Sequence, residues 1–344
     1  IVASQAHHKK IDGHAPGLQG KDLDTYVAAG VYSDHECATF EDALAKLQRG
    51  QFIMIREGTA ARNLEALVPL LTPQYAERCM FCTDDKHPSD LLEKGHIDYI
   101  AREAINKYGV DPIIAVKAAC HHAARYFLLN NRGAIAPGYL ADFAVIDNFK
   151  DFNVEMVFKK GVLYWADGKL KDFPEPQIEE YLDHRAHDTF HVSRLTPDDF
   201  RDTRQRGVLG MIPGEIITTD NGYADHVDLD KDILKIAVIE RHKNTHHIGL
   251  GYIQGYGLKS GAVATSISHD SHNIIVVGTN SADMAFAANY IVEHHGGIVV
   301  VENGVVKGSV VLEIAGIMSD RPLTEINTEL EAAKTAAFDL GVSR

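Results

Sequence analysis

The sequence predicts an α/β chain: four βα units, half of an eight-unit parallel barrel, then a small β unit and a separate α+β domain. Three observations carry this. Over the first 130 residues, short strand-like runs alternate with helical stretches roughly every 20 to 30 residues, the cadence of βα units and so of a parallel sheet. Next, "VEMVFKKGVLYWADGKL" reads as a hairpin with turns near Lys160-Gly161 and Asp167-Gly168. Finally, from about Phe190, apolar strands resume with a long helix among them. The expected boundaries are 1–130, 131–175 and 176–344.

In chain order, the strand candidates of the first part are "KKIDGH", "VYSDHE", "QFIMIREG" and "RCMFCTDD". Between them lie "GKDLDTYVAAG", "TFEDALAKLQRG" and "ARNLEALVPLL". In "TFEDALAKLQRG", Thr39 can cap, Asp42 takes the third helical position and Gly50 stops the helix. Its Ala43, Leu44 and Leu47 recur at helical spacing. "SDLLEKGHIDYIAREAINKYG" and "DPIIAVKAACHHAARYFLL" each read as one longer helix. "RGAIAPGYLADFAVIDN" reads as a turn and a fully apolar strand, and "DFPEPQIEEYLDHRAH" as a charged, proline-rich linker. Beyond it come strands "LKIAVIER", "NIIVVG" and "GGIVVVENG", with helix "NSADMAFAANYIVEHH" between the last two. The chain opens "IVAS" without Met, like the tail of a strand, so it is expected to begin inside a fold.

Acids outnumber bases 48 to 34, a net charge of −14. That argues against nucleic acid or an anionic membrane as partner, since both select basic surfaces. No apolar run reaches the length of a membrane span. Cys79 and Cys82 form a CxxC with no second pair at finger spacing. The four cysteines therefore read as buried, reduced thiols.

The chemistry gathers at strand ends. His14 closes the first strand in "IDGHAPG", His35 the second in "VYSDHE", and Asp84 the fourth in "FCTDD". In a barrel of βα units, the carboxyl ends of the strands open into one mouth. Two imidazoles and a carboxylate there suit zinc, iron or manganese. Arg56 and Glu57 end the third strand at the same level; they are either a rim ion pair or contacts to substrate. Asp85 and His87 follow Asp84 and read as support or as helix capping. "ATSISHDSHNIIVVG" packs His269, Asp270 and His272 before an apolar strand. Loop hydrogen bonding, a contribution to the active-site mouth, and an independent metal site all fit it. His242, His246 and His247 read as an exposed hairpin turn. The glycines of "GLGYIQGYGLKSG" do not make a dinucleotide fingerprint.

"IDGHAPG", "SDHE", "REGTAARN" and "CTDDKHPSDLL" together closely resemble the bacterial adenine deaminases of the amidohydrolase superfamily. "GAIAPGYLADFAVID" looks like that superfamily's return to its small β-sandwich. The part after Phe190, with "SISHDSHN", is similar to the carboxyl-terminal domain particular to adenine deaminases. The resemblance implies the second half, strands five to eight, of a TIM-like (β/α)8 metal-dependent hydrolase barrel, then the sandwich segment and the α+β domain. It implies His14, His35 and Asp84 as metal ligands from strands five, six and eight, with Asp84 also catalytic. Arg56, Glu57, His269, Asp270 and His272 become candidates for binding substrate. The implied cofactor is a divalent metal in a two-metal site, manganese or iron, with zinc also suited.

Strands one to four, with the family's HxH and its bridging carboxylate or modified lysine, are missing from this sequence. The implied partners are therefore adenine, the absent amino-terminal half and further copies in a homo-oligomer. The implied activity, in cytoplasmic purine salvage, is hydrolysis of adenine to hypoxanthine and ammonia, and it requires that half. Two other readings stand beside it: an amidohydrolase acting on another cyclic amide or amine, and a non-catalytic half awaiting its partner.

Overall fold

The computed structural model describes residues 1–7, 9–173, 177–202, 204–212 and 218–343. They fall into two compact units, Ile1–Glu175 and Pro176–Arg344. The opening residues are not a strand: they form a short helix, α1 (Val2–Ala6), with no buried residue, so there is no apolar face to seat in a sheet.

Four strands of the first unit make one parallel sheet in chain order. They are β1 (Asp12–Gly13), β2 (Ser33–Asp34), β3 (Phe52–Arg56) and β4 (Cys79–Cys82). All four lie inside the expected runs, but β1 and β2 are only two residues long. Gly13 pairs with Asp34, Asp34 with Ile53, and Arg56 with Cys82. The segments that follow the strands therefore leave from one edge.

The helices are α2 (Gly20–Ala28), α3 (Phe40–Leu47), α4 (Leu64–Leu67), α5 (Pro88–Glu93), α6 (Ile97–Asn106), α7 (Pro112–Val116) and α8 (His122–Tyr126). Thr39 caps α3 as its sequence indicates, its hydroxyl accepting from Asp42 N at 3.2 Å. α5 and α6 replace one expected helix. Gly95 between them takes φ 101°, a left-handed conformation that ends a helix at little cost for glycine. α7 runs into α8 through a π-helical turn over Lys117–His121.

Side chains alternate along the sheet. Ile53, Ile55, Cys79 and Phe81 face a core built with Leu64, Leu67, Ile100 and Ala115. Met54 and Met80 face the other way, onto Tyr126. Both faces are apolar, as a parallel sheet covered on both sides requires. A second, antiparallel sheet of this unit holds β5 (Phe143–Ile146), β6 (Val154–Lys159), β7 (Val162–Ala166) and β8 (Lys169–Leu170). Its two turns fall at Lys160-Gly161 and Asp167-Gly168, with positive φ at all four residues, the geometry that two-residue hairpins prefer. Phe152 and Ile146 join the core of the parallel sheet.

In the second unit, part of the expected linker is helical: α9 (Glu180–His187), which buries no residue. Residues 174–176 of that stretch lie outside the described residues. An eight-stranded sheet follows, ordered β10-β9-β12-β11-β14-β13-β15-β16. Its strands are β9 (Arg206–Met211), β10 (Thr218–Ala224), β11 (Ile233–Ile239), β12 (Ile248–Gln254), β13 (Ala262–Thr265), β14 (Ile274–Gly278), β15 (Gly297–Glu302) and β16 (Val305–Val311). Neighbours are antiparallel except β9 and β12. Met284, Ala288 and Ile291 of α10 (Ser281–Glu293) pack on Ala237, Ile239, Val276 and Val299. Ile326 and Leu330 of α11 (Leu323–Asp339) cover Val310 and Leu312. No helix among the described residues is long and apolar enough to cross a membrane.

Ile100 is fully buried where α6 meets the sheet. Ile100→Ala is expected to cost about 2–5 kcal/mol of unfolding free energy, measured by denaturant titration. A loss below about 1 kcal/mol would contradict its place in the core.

Candidate metal centre

His14 is the first residue past β1; His35 and Glu36 are the first two past β2. Arg56 closes β3, and Asp84 lies two residues beyond β4. Asp84 takes φ 53°, a left-handed conformation that aspartate tolerates better than most residues. The parallel register brings these side chains together. The rings of His14 and His35 meet edge to face, centroids 4.5 Å apart. His14 Nδ1 lies 3.2 Å from Glu36 Oε1. Arg56 Nη1 is 3.6 Å from that oxygen and 2.6 Å from Asp84 Oδ2. Asp84 Oδ2 in turn is 3.8 Å from His35 Nε2. Five side chains thus close a circuit.

Within it, His14, His35 and Glu36 each offer a ligand atom, and all three atoms lie within 4.8 Å of one another. Two imidazoles and a carboxylate at that spacing suit a borderline divalent cation. Glu36 is the residue that sequence reasoning missed. Its signal was its place beside His35 in "SDHE", at the strand end already singled out.

A hydrogen-bonded relay orients His35. Its Nδ1 lies 2.7 Å from Asp12 Oδ2. Asp12 Oδ1 accepts from Ser33 Oγ at 2.6 Å, and Ser33 Oγ accepts from Tyr126 Oη at 2.6 Å. With Asp12 ionised, the proton sits on Nδ1 and Nε2 is left facing Asp84; the tautomer follows from this network. The hydrogen bond that His35 donates to Asp12 raises the pKa of His35, against an opposing effect of burial. Burial alone would raise Asp12, but hydrogen bonds from His35 and Ser33 outweigh it and hold the carboxyl below its usual range.

The backbone is held as closely. His14 N donates to Tyr26 Oη at 3.0 Å. A Cβ at position 13 would overlap that hydroxyl and Val31, so the glycine of "IDGHAPG" makes room for the tyrosine that steadies the histidine. At Gly58, just past β3, a Cβ would sit 2.5 Å from the Thr83 carbonyl and 2.8 Å from that of Asp85. Glycine there lets the Asp84 loop lie close.

The remaining candidates divide. Arg56 is buried and spends Nη1 on Glu36 and Asp84; its Nε is buried with no hydrogen-bond partner among the described residues. Glu57 turns to the start of α4, where Oε2 accepts from Leu64 N at 3.3 Å, and burial raises its pKa. Asp85 accepts from Thr59 N through its carbonyl, and His87 N donates to Thr59 Oγ1 before α5. Burial pushes the Cys79 and Cys82 thiols up to about 12, so neither is ionised at neutral pH.

His269, Asp270 and His272 belong to the second unit, in the turn between β13 and β14. His269 Nδ1 lies 3.2 Å from Asp270 Oδ1, and the rings of His269 and His272 have centroids 5.1 Å apart. Buried Arg241 fastens this turn: Nε donates to His272 O, Nη1 to Thr189 O and Nη2 to Ala315 O. His242, His246 and His247 lie in the β11–β12 hairpin turn. There the Glu240 carboxylate gathers the N–H groups of His242, Lys243 and Thr245.

Residues 2–164 match the model described as the amidohydrolase family, and residues 215–344 the one described as the adenine deaminase C-terminal domain. An adenine deaminase of Desulfatibacillum aliphaticivorans is 43% identical over 98% of this chain and 60% of its own length. Adenine deaminases of Dehalococcoides mccartyi (42%, 98% and 60%) and Thermosipho africanus (43%, 98% and 59%) are similar to the same extent. The chain therefore spans about 60% of the length of the curated relatives it matches. A solved beta-aspartyl dipeptidase of Fervidobacterium islandicum AW-1 is 20% identical over half of each chain, with a TM-score of 0.40. Residues 2–164 are thus similar to the amidohydrolases and residues 215–344 to the adenine deaminase C-terminal domain, and the relatives named here are adenine deaminases.

The Asp12–His35 pair sets a pH window. His35, raised, contributes stability that is full below its unfolded value of about 6.5 and fades as pH rises through the folded pKa. Asp12, lowered, contributes above about 3.9. In chelator-treated protein, the Tm difference between wild type and Asp12→Asn is expected to be largest between those values and to shrink toward pH 9. A difference that holds constant from pH 6 to 9 would contradict the pairing.

Proposed function

We propose that this chain is the carboxyl-terminal part of a metal-dependent adenine deaminase. The observation that carries the reading is the cluster of His14, His35 and Glu36 beside Asp84, in a chain whose curated relatives are adenine deaminases along nearly its whole length. On this reading the parallel sheet β1–β4 is strands five to eight of a (β/α)8 barrel, within residues 1–130. The β5–β8 sheet belongs to a small sandwich, residues 131–175, and residues 176–344 form the family's extra domain. An amino-terminal segment completes the barrel and its mouth. The four cysteines are free, which suits a reducing compartment such as the cytoplasm.

The donor set fits a divalent cation: His14 and His35 would hold it, with Glu36 and Asp84 as the oxygen donors at hand. Manganese, iron and zinc all accept such ligands, and a second ion would need further ligands from the completing segment. When bound, the metal supplies a nucleophilic water at neutral pH. Asp12 keeps the His35 Nδ1 proton in place, so that Nε2 is the ligand atom. Asp84 takes a proton from the attacking water, and Arg56 holds the Asp84 carboxylate toward the mouth. The water oxygen bonds to the purine carbon that carries the amine, and the carbon–nitrogen bond breaks. One water proton ends on a ring nitrogen; the other leaves with the amine as ammonia. Asp84 is the shuttle for that second transfer.

In the barrel-complete protein, Asp84→Asn is expected to lower ammonia release from adenine at least a thousandfold, with circular dichroism and Tm near wild type. Retained turnover would remove Asp84 from the chemistry. His14→Ala is expected to lower bound metal in elemental analysis; unchanged stoichiometry would end its role as a ligand.

A further inference from the structure

Beneath the candidate centre lies a charged group that the deamination chemistry leaves unused. Asp34 and Lys46 have fully buried side chains, and Lys46 Nζ donates to Asp34 Oδ2 and to Asp42 Oδ2, each at 3.1 Å. The helical pattern of α3 places Lys46 on its inner face beside Ala43. Burying such a pair costs several kcal/mol per ion, and apolar replacements often serve stability as well or better. Stability alone is thus a weak reason for it.

Its hydrogen bonds give a better one. Asp34 Oδ2 accepts the N–H of Ala15 at 3.0 Å, and Oδ1 accepts the N–H of Glu36 at 2.7 Å. Ala15 is the residue after His14, and Glu36 the residue after His35. The β1–β2 ladder is two pairs long and stops at Gly13 and Asp34, immediately before the histidines. Past that point no backbone ladder ties the two ends together. One carboxylate does so instead, and Lys46 neutralises it where water does not reach. An apolar side chain cannot accept from two backbone segments at once.

We propose that Asp34, neutralised by Lys46, is a positioning residue: a buried clasp that extends the β1–β2 pairing and sets the spacing of His14 and His35. Its purpose rests on the metal-centre reading above; its geometry does not.

The first test uses the wild-type 344-residue chain. Hydrogen exchange resolved at single amides is expected to find Ala15 and Glu36 protected at least about a hundredfold although they lie outside the ladder. Exchange at the rate of an open loop would overturn the clasp without any variant. The second test is Asp34→Asn, which removes one of the two backbone acceptors at similar volume and leaves Lys46 paired with Asp42. It is expected to speed exchange at Ala15 and Glu36 at least tenfold while Ile53 and Ile55 keep their protection. It is also expected to weaken Zn2+ binding, read by chelator competition, by about 10–100-fold. Uniform acceleration through β3 would mean a merely structural pair and would overturn the proposal, as would unchanged exchange and affinity. If wild type takes up no Zn2+ yet both amides are protected and then freed by the variant, the clasp stands and the metal reading falls.

Discussion

The parallel register of Gly13 with Asp34, Asp34 with Ile53 and Arg56 with Cys82 is the constraint on which the first unit depends. Because the strands run the same way, the residues that follow them emerge at one edge. There the chain places two imidazoles, three carboxylates and a guanidinium. Arg56, buried among them, needs such partners, since a buried charge without one loses its hydration uncompensated. Together they satisfy one another, from His14 through Glu36, Arg56 and Asp84 to His35. The apolar faces of the same sheet supply the rigidity such an arrangement needs.

The charge balance at that edge bears on function. Glu36 and Asp84 face a single guanidinium, Arg56, and Asp12 pairs with His35. With the histidines neutral, the negative charges exceed the positive, and the excess is offered beside two imidazole nitrogens. A divalent cation answers both features at once. The Tyr126–Ser33–Asp12 relay fixes which nitrogen of His35 is presented, and Tyr26 and Asp34 fix the backbone on either side of His14. The centre is thus supported from both β1 and β2 and from helices behind them.

Much of this was legible in the residues. The histidines betray themselves by standing where apolar runs stop and turn residues begin, and Thr39, Lys160-Gly161 and Asp167-Gly168 carry local rules that tertiary packing did not override. What escaped did so for physical reasons. Periodicity does not mark Lys46 and Asp42 as buried, because it cannot see that Asp34 waits inside to pair with Lys46. Glu36 was hidden by its neighbour. Gly95 split a helix whose apolar spacing runs on unbroken. "GLGYIQ", rejected as a dinucleotide fingerprint, is strand β12, with Tyr252 and Ile253 packed into the sheet. The brevity of β1 and β2 could not be read at all: strand length there is set by pairing partners.

The most direct test of the central claim is X-ray absorption spectroscopy at the zinc edge on the chain loaded with one equivalent of Zn2+. The account predicts two imidazole nitrogens at about 2.0–2.1 Å with oxygen completing the shell, and loss of one imidazole in His35→Ala. A shell of oxygen alone, or a sulfur shell from the cysteines, would contradict it.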